Sequence, residues 1–190
     1  FFTAEDPRFR RRVAAWRETF VAAPWEGRIV RIEGGLVQEE ETPTERFVGV
    51  PKMNAVVRDL LGEIPTEFGV RIERLVRVGE GWSLRCDAGF HYDGFEMVVV
   101  AVPPAQALSL LEGVPALAAQ VGGMRMWPCH ALMLAFESPL EVDFDGAFLD
   151  GDIVEWAMRE DSKPGRDDSP RWVVHSLSLI HISEPTRPLH

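Results

Sequence analysis

The chain has 190 residues, 46% of them hydrophobic and 26% charged, an ordinary globular composition that excludes a fibre, a linker or a disulfide-stapled miniprotein and points to one or two compact domains. Twenty Lys and Arg against thirty Asp and Glu give a net charge of −10, which works against nucleic acid or anionic lipid as a partner and leaves a small molecule as the expected one. The longest apolar run, residues 97–104, is too short to cross a bilayer, so no membrane partner is expected; Cys86 and Cys129, far apart and without metal-ligand spacing, read as reduced core residues of a cytoplasmic protein.

The first element is a helix. Asp6 can accept from the free N–H groups of a first turn and Pro7 fits the first helical position. Phe9, Val13, Trp16 and Phe20 then recur at helical spacing before Pro24 closes the run. Arg8, Arg10, Arg11, Arg12 and Arg17 cover the other face, and with the chain so acidic they read as a solvated face rather than a nucleic-acid site. Residues 28–33 read as a strand with Gly34 and Gly35 as its turn, and the acidic tract 38–45, with Pro43, as a solvated loop. A second helix follows Pro51, presents Val56, Val57, Leu60 and Leu61, and stops at Gly62.

Residues 70–78 alternate apolar and charged, turn through Gly79, Glu80 and Gly81, and return as residues 82–86, which predicts a β-hairpin. A second turn region covers residues 87–93. Residues 96–102 are apolar without alternation, so they predict a strand buried on both faces in a parallel sheet sandwiched by helices. A short helix, residues 105–111, follows directly; this is the geometry in which α/β sheets place ligands at strand ends. The last third offers short strands at 129–136, 146–149, 153–158 and 171–175, separated by loops rich in Pro, Gly and Asp, and so predicts an antiparallel sheet of α+β type.

Both ends invite a further expectation. Phe1 is followed by neither a basic region nor a hydrophobic one, so the start reads as neither an initiator nor a secretory signal and an upstream segment is expected; residues 177–187 (LSLIHISEPTR) resemble a translated library-adapter sequence, and residues 177–190 are read as a non-native tail.

Several stretches together resemble the bacterial FAD-dependent amine-oxidase-like or renalase-like oxidoreductases: Phe1-Phe2-Thr3-Ala4 with Asp6-Pro7-Arg8-Phe9, Arg46-Phe47-Val48-Gly49-Val50-Pro51 with Met53-Asn54-Ala55, Gly81-Trp82, residues 97–103 with Gln106-Ala107, Met126-Trp127-Pro128-Cys129 with Ala131-Leu132-Met133-Leu134, and Ser162-Lys163-Pro164-Gly165 before Trp172-Val173-Val174-His175. The resemblance implies α/β and α+β architecture, a fragment of a glutathione-reductase-type FAD domain interleaved with an antiparallel-sheet substrate domain. It divides the chain into a substrate-domain helix and strand (1–45), part of the FAD domain (46–112) and the substrate-domain sheet (113–176). The family's G-x-G-x-x-G turn, which places the FAD pyrophosphate on a helix N-terminus, is absent from this sequence, and Gly34-Gly35 and Gly122-Gly123 do not substitute for it. Tight FAD binding by this chain is therefore not expected.

Positions matching the family's cofactor contacts are Val76, with a slip onto Ile72 as the alternative because the hairpin turn is shorter than the family's, and Ala101, Val102 and Pro103. Phe47, Trp127 and Trp156 are candidate apolar walls of a substrate pocket. His130 and His175 lie on apolar strands and read as core histidines rather than an acid or base. Asp143, Asp145, Asp150 and Asp152 lack the glycine and terminal glutamate of an EF-hand and read as a solvated turn region. No catalytic residue is assigned. The implied activity is hydride transfer from a small amine or a reduced nicotinamide-like compound to flavin and then to oxygen or another acceptor; the competing reading is a non-catalytic nucleotide- or protein-binding module on the same fold.

Overall fold

The computed structural model describes residues 1–40, 44–126, 128–151 and 153–177. In chain order its elements are α1 (Pro7–Glu18), β1 (Ala22–Pro24), β2 (Ile29–Glu33), β3 (Leu36–Glu39), β4 (Phe47–Gly49), α2 (Asn54–Leu61), β5 (Ile72–Val78), β6 (Gly81–Cys86) and β7 (His91–Phe95). They continue with α3 (Pro104–Leu110), α4 (Pro115–Gly122), β8 (Cys129–Ala135), β9 (Gly146–Leu149), β10 (Val154–Arg159) and β11 (Arg171–Leu177). The architecture is mixed α/β, richer in sheet than in helix.

The chain forms two compact units, one of residues 1–64 with the residues from 128 onward, the other of residues 65–127. These boundaries differ from the expected 45/46 and 112/113. Backbone pairing explains the first shift: β4 pairs antiparallel with β1, register Ala22 to Gly49, which fastens residues 47–49 to the first unit. Packing explains the second, because α4 lies against α3.

In unit 1 the N-cap forms as expected, Asp6 accepting from the N–H groups of Arg8 (2.7 Å) and Phe9 (3.3 Å). Val13 and Trp16 are buried on the inner face of α1 and pack with Ala22 and Phe47. A six-stranded sheet runs in the order β3-β2-β9-β10-β11-β8. Its pairings are antiparallel except β2 with β9, which run parallel. A second cluster of Trp25, Ile29, Val48, Trp156 and Met158 packs with Phe148 and Val173. Gly146 sits where a Cβ would come 2.7 Å from the Trp156 ring and 2.8 Å from Ile29, so only glycine lets that indole lie flat on β9.

Two elements of unit 1 differ from expectation. Residues 38 and 39, expected as the start of the loop 38–45, belong to β3, which is paired to β2 through the Gly34-Gly35 turn, both glycines having positive φ. Residues 47–49 are strand as well, too short to show alternation. A buried ion-pair cluster then fixes the loop after β10. Lys163, 5% exposed, pairs with Glu160, whose other oxygen accepts from Arg166 Nε at 2.9 Å. Arg166 also donates to the carbonyls of Gly49 and Pro51, so this cluster ties residues 160–166 to the end of β4.

In unit 2, β5, β6 and β7 form an antiparallel meander. The hairpin turn carries Gly79 at φ 60, as the sequence requires. Residues 91–93, expected as the end of the turn region 87–93, lie instead in β7, which pairs with β6. Leu75, Cys86, Ala107 and Leu111 form the buried apolar part of this unit, with Ser83 fully buried beside them.

The expected strand at 96–102 is the main correction. It belongs to no sheet; Met97 is 77% exposed and Val99 80%. A strand buried on both faces needs a neighbour on each edge and a layer above and below, and among the described residues the one parallel pairing is β2 with β9, in the other unit. Cys129 and His130 are likewise exposed rather than in a core, because β8 is the outermost strand of its sheet. No helix among the described residues is long and apolar enough to cross a membrane.

Candidate functional site

Two of the four matched cofactor positions, Ala101 and Val102, lie on one cleft within unit 2. It has a volume of about 750 Å³ and is lined by Arg71, Ile72, Leu75, Leu84, residues 98–102 and, from α3, Ala105, Gln106, Ser109 and Leu110. That size suits a drug-sized or nucleotide-sized ligand. Its walls arise simply. The β5–β6 hairpin supplies Ile72, Leu75 and Leu84, the apolar run supplies valines, and Pro103-Pro104 turns the chain so that α3 closes one side.

Ala101 and Val102 line the cleft; Val76 does not. Val76 is half-buried in the middle of β5, paired with Ser83, whereas Ile72, four residues earlier, lies on the cleft. Pro103 is the N-cap position of α3, its carbonyl accepting from the N–H groups of Gln106 and Ala107, both at 2.9 Å. It shapes the exit from the apolar run rather than forming a wall.

The polar groups at this cleft are few. Ser109 Oγ is already bonded to the Gln106 carbonyl at 2.9 Å. Arg71 is exposed, lines the cleft, and has no carboxylate partner among the described residues. An apolar slot with one uncommitted guanidinium at its side suits a flat ring carrying an anionic group. Sequence reasoning missed Arg71, since nothing in an alternating strand distinguishes one exposed arginine from its neighbours Arg74 and Arg77.

For FAD the fit is partial. Ile72 and the valines suit the adenine ring. The pyrophosphate is another matter: α3 opens with Pro103 and Pro104, which carry no N–H, so its N-terminus offers a poor cradle for an anion. The described residues fit the ring end of the cofactor and do not fit the rest.

The candidate substrate walls are not brought together. Trp156 is 6% exposed and packs against Phe148 (centroids 4.4 Å apart) and Trp25 (6.4 Å), in the middle of a core. Phe47, 4% exposed, stacks on Phe2 at 5.7 Å in the other cluster of the same unit. Both are packing residues, because their strands are interior to unit 1; Trp127 lies outside the described residues. His130 and His175 sit on neighbouring strands, His175 opposite Ala131, and among the described residues neither faces a carboxylate in an ion pair. Asp145 accepts from Arg28 N–H at 2.9 Å and pairs with Arg159 at 3.0 Å, and Asp143 pairs with Arg28 at 2.7 Å. These acids organise a loop. Asp152 lies outside the described residues, among which no group of three or more potential ligands could hold a metal.

A scan of the chain against protein-family models finds no match.

Proposed function

We propose that this chain is part of a cytoplasmic FAD-dependent oxidoreductase of the amine-oxidase-like or renalase-like kind, and that the unit 2 cleft takes the adenine end of the dinucleotide. The observation that carries the reading is the coincidence of Ile72, Ala101 and Val102, positions singled out by resemblance, on one apolar cleft with the uncommitted Arg71 beside it. When bound, the flavin would supply hydride acceptance from a small amine or a reduced nicotinamide-like substrate. The residues of this chain bind and orient. Ile72 and the valines exclude water from the ring face, and Arg71 faces the anionic side.

The test is a competition titration of the purified chain with FAD, ADP and riboflavin, followed by intrinsic fluorescence at low and high salt. Weak FAD binding, displaced by ADP but not by riboflavin and weakened several-fold in Arg71→Ala, is expected. Binding of riboflavin in preference to ADP, or none by any of the three, sinks the proposal. Co-purification of stoichiometric yellow flavin would refute the weak hold. Added amines and reduced nicotinamides under anaerobic conditions then separate the two functional readings: bleaching of bound flavin supports the oxidoreductase, and its absence with flavin bound favours a non-catalytic nucleotide-binding module.

A further inference from the structure

The side chains on the unit 2 cleft are aliphatic except for three, Arg71, Gln106 and Ser109. Aliphatic walls hold a flat ring by the area they cover, and that contact is alike for any purine, so discrimination between bases falls to the polar groups. Arg71 can only donate. The Ser109 hydroxyl gives its hydrogen to the Gln106 carbonyl at 2.9 Å, which leaves it lone pairs alone. Among the described residues, Gln106 is therefore the one lining side chain that can donate and accept together. Its carboxamide makes no hydrogen bond among them, while its backbone is held on both sides, the N–H by the Pro103 carbonyl at 2.9 Å and the carbonyl by Ser109. The residue thus carries an uncommitted amide on a fixed stretch of α3, on the wall of the cleft.

We infer that Gln106 is the residue that selects adenine in this cleft, its carboxamide oxygen accepting from the 6-amino group while its NH₂ donates to the ring nitrogen beside that group. The inference rests on the reading that the cleft takes the adenine end of a dinucleotide, and it names the side chain that reads the base. Adenine presents a donor and an acceptor side by side, and a carboxamide presents their complement, so the two meet through a bidentate pair. A purine that lacks the amino group leaves the carboxamide oxygen without a partner once the ring has displaced water, and that cost falls on the wrong ligand alone. Arg71 meets the anionic side whatever the base. Phosphate and base are thus read by two different side chains.

Titration of the full 190-residue chain, followed by intrinsic fluorescence, compares ADP with purine riboside 5′-diphosphate, which differs from it only in lacking the 6-amino group. Wild type is expected to bind ADP roughly tenfold more tightly than the analogue. Gln106 is exposed on α3, and leucine is a helix-favouring residue of similar size, so Gln106→Leu retains the fold, checked by circular dichroism. The variant should bring the two ligands within about twofold of each other, chiefly by weakening ADP. Arg71→Ala should weaken both alike and leave their ratio standing. Equal affinity of wild type for the two ligands, or a preference for ADP that persists in Gln106→Leu, overturns the role of Gln106 while the cleft still holds a nucleotide. No binding of either ligand by wild type overturns the reading of the cleft itself, and this inference with it.

Discussion

Units 1 and 2 are built from similar residue types but bury them to different depths. In unit 1 six strands share one sheet, and four tryptophans, Trp16, Trp25, Trp156 and Trp172, are each no more than 6% exposed. In unit 2 a three-stranded meander carries one buried leucine on its strands, Leu75, while six apolar residues beside it remain outside any sheet. The difference teaches that apolar content alone does not make a core. What decides is whether strands find partners, because pairing satisfies the backbone and lets side chains on the enclosed face meet a second layer.

The sharpest way to break this contrast is Trp156→Ala. Its indole meets Trp25 and Phe148 and fills the space left by Gly146, so removal costs about 3–5 kcal/mol. Hydrogen exchange after the substitution should show lost protection in β9, β10 and β11 and unchanged protection in β5 and β6. Equal loss in both would mean that the two units unfold as one.

Next in size is the ion-pair cluster of unit 1. Burial pushes the Glu160 carboxyl up, but hydrogen bonds from Lys163 and Arg166 together outweigh it and hold the group below its ordinary value of 4.5. A carboxylate whose folded pKa is depressed contributes stability that is present above that ordinary value and is lost as pH falls through the folded one. Glu160→Gln leaves Lys163 buried without its partner and should destabilise unit 1 by about 2–3 kcal/mol near neutral pH. Denaturant titrations of both proteins at neutral pH and below pH 4.5 check the sign: the gap between them must narrow on the acid side. A gap that widens there would show that Glu160 is not ionised in the fold.

Much of unit 1 was legible in its residues. The stripe of Phe9, Val13 and Trp16 marked α1, and the short runs at 146–149 and 171–175 marked strands, since alternation or isolation between turn residues is a local signal. β4 was not legible: at three residues it has no periodicity, and its identity comes from pairing with β1. Unit 2 shows the opposite failure. Val98, Val99 and Val100 carry a strong local signal for a buried strand, but burial is a property of neighbours that the signal does not contain. The candidate site divides the same way. Ala101 and Val102 were reached through resemblance to a family, Ile72 only as an alternative, and Arg71 not at all, since its importance lies in having no carboxylate partner among the described residues.

A third change separates the units by sign. Ser83 is 0% exposed, and its hydroxyl has no hydrogen-bond partner among the described residues. A buried hydroxyl left unpaired opposes folding, and alanine of nearly the same volume removes the penalty. Ser83→Ala should therefore stabilise unit 2, by about 1 kcal/mol, read as increased exchange protection of β5 and β6. Destabilisation would indicate that a buried water satisfies the hydroxyl.

The smallest expected effect bears most directly on the contrast. Were Val99 in a strand buried on both faces, Val99→Ser would remove buried methyl groups and add a hydroxyl without a partner, at a cost of about 2 kcal/mol or more. With the side chain 80% exposed, the substitution should stay within about 0.5 kcal/mol, as surface changes do. Thermal melts of wild type and variant should superimpose, and a lower midpoint for the variant would show that residues 97–102 are covered within the single chain.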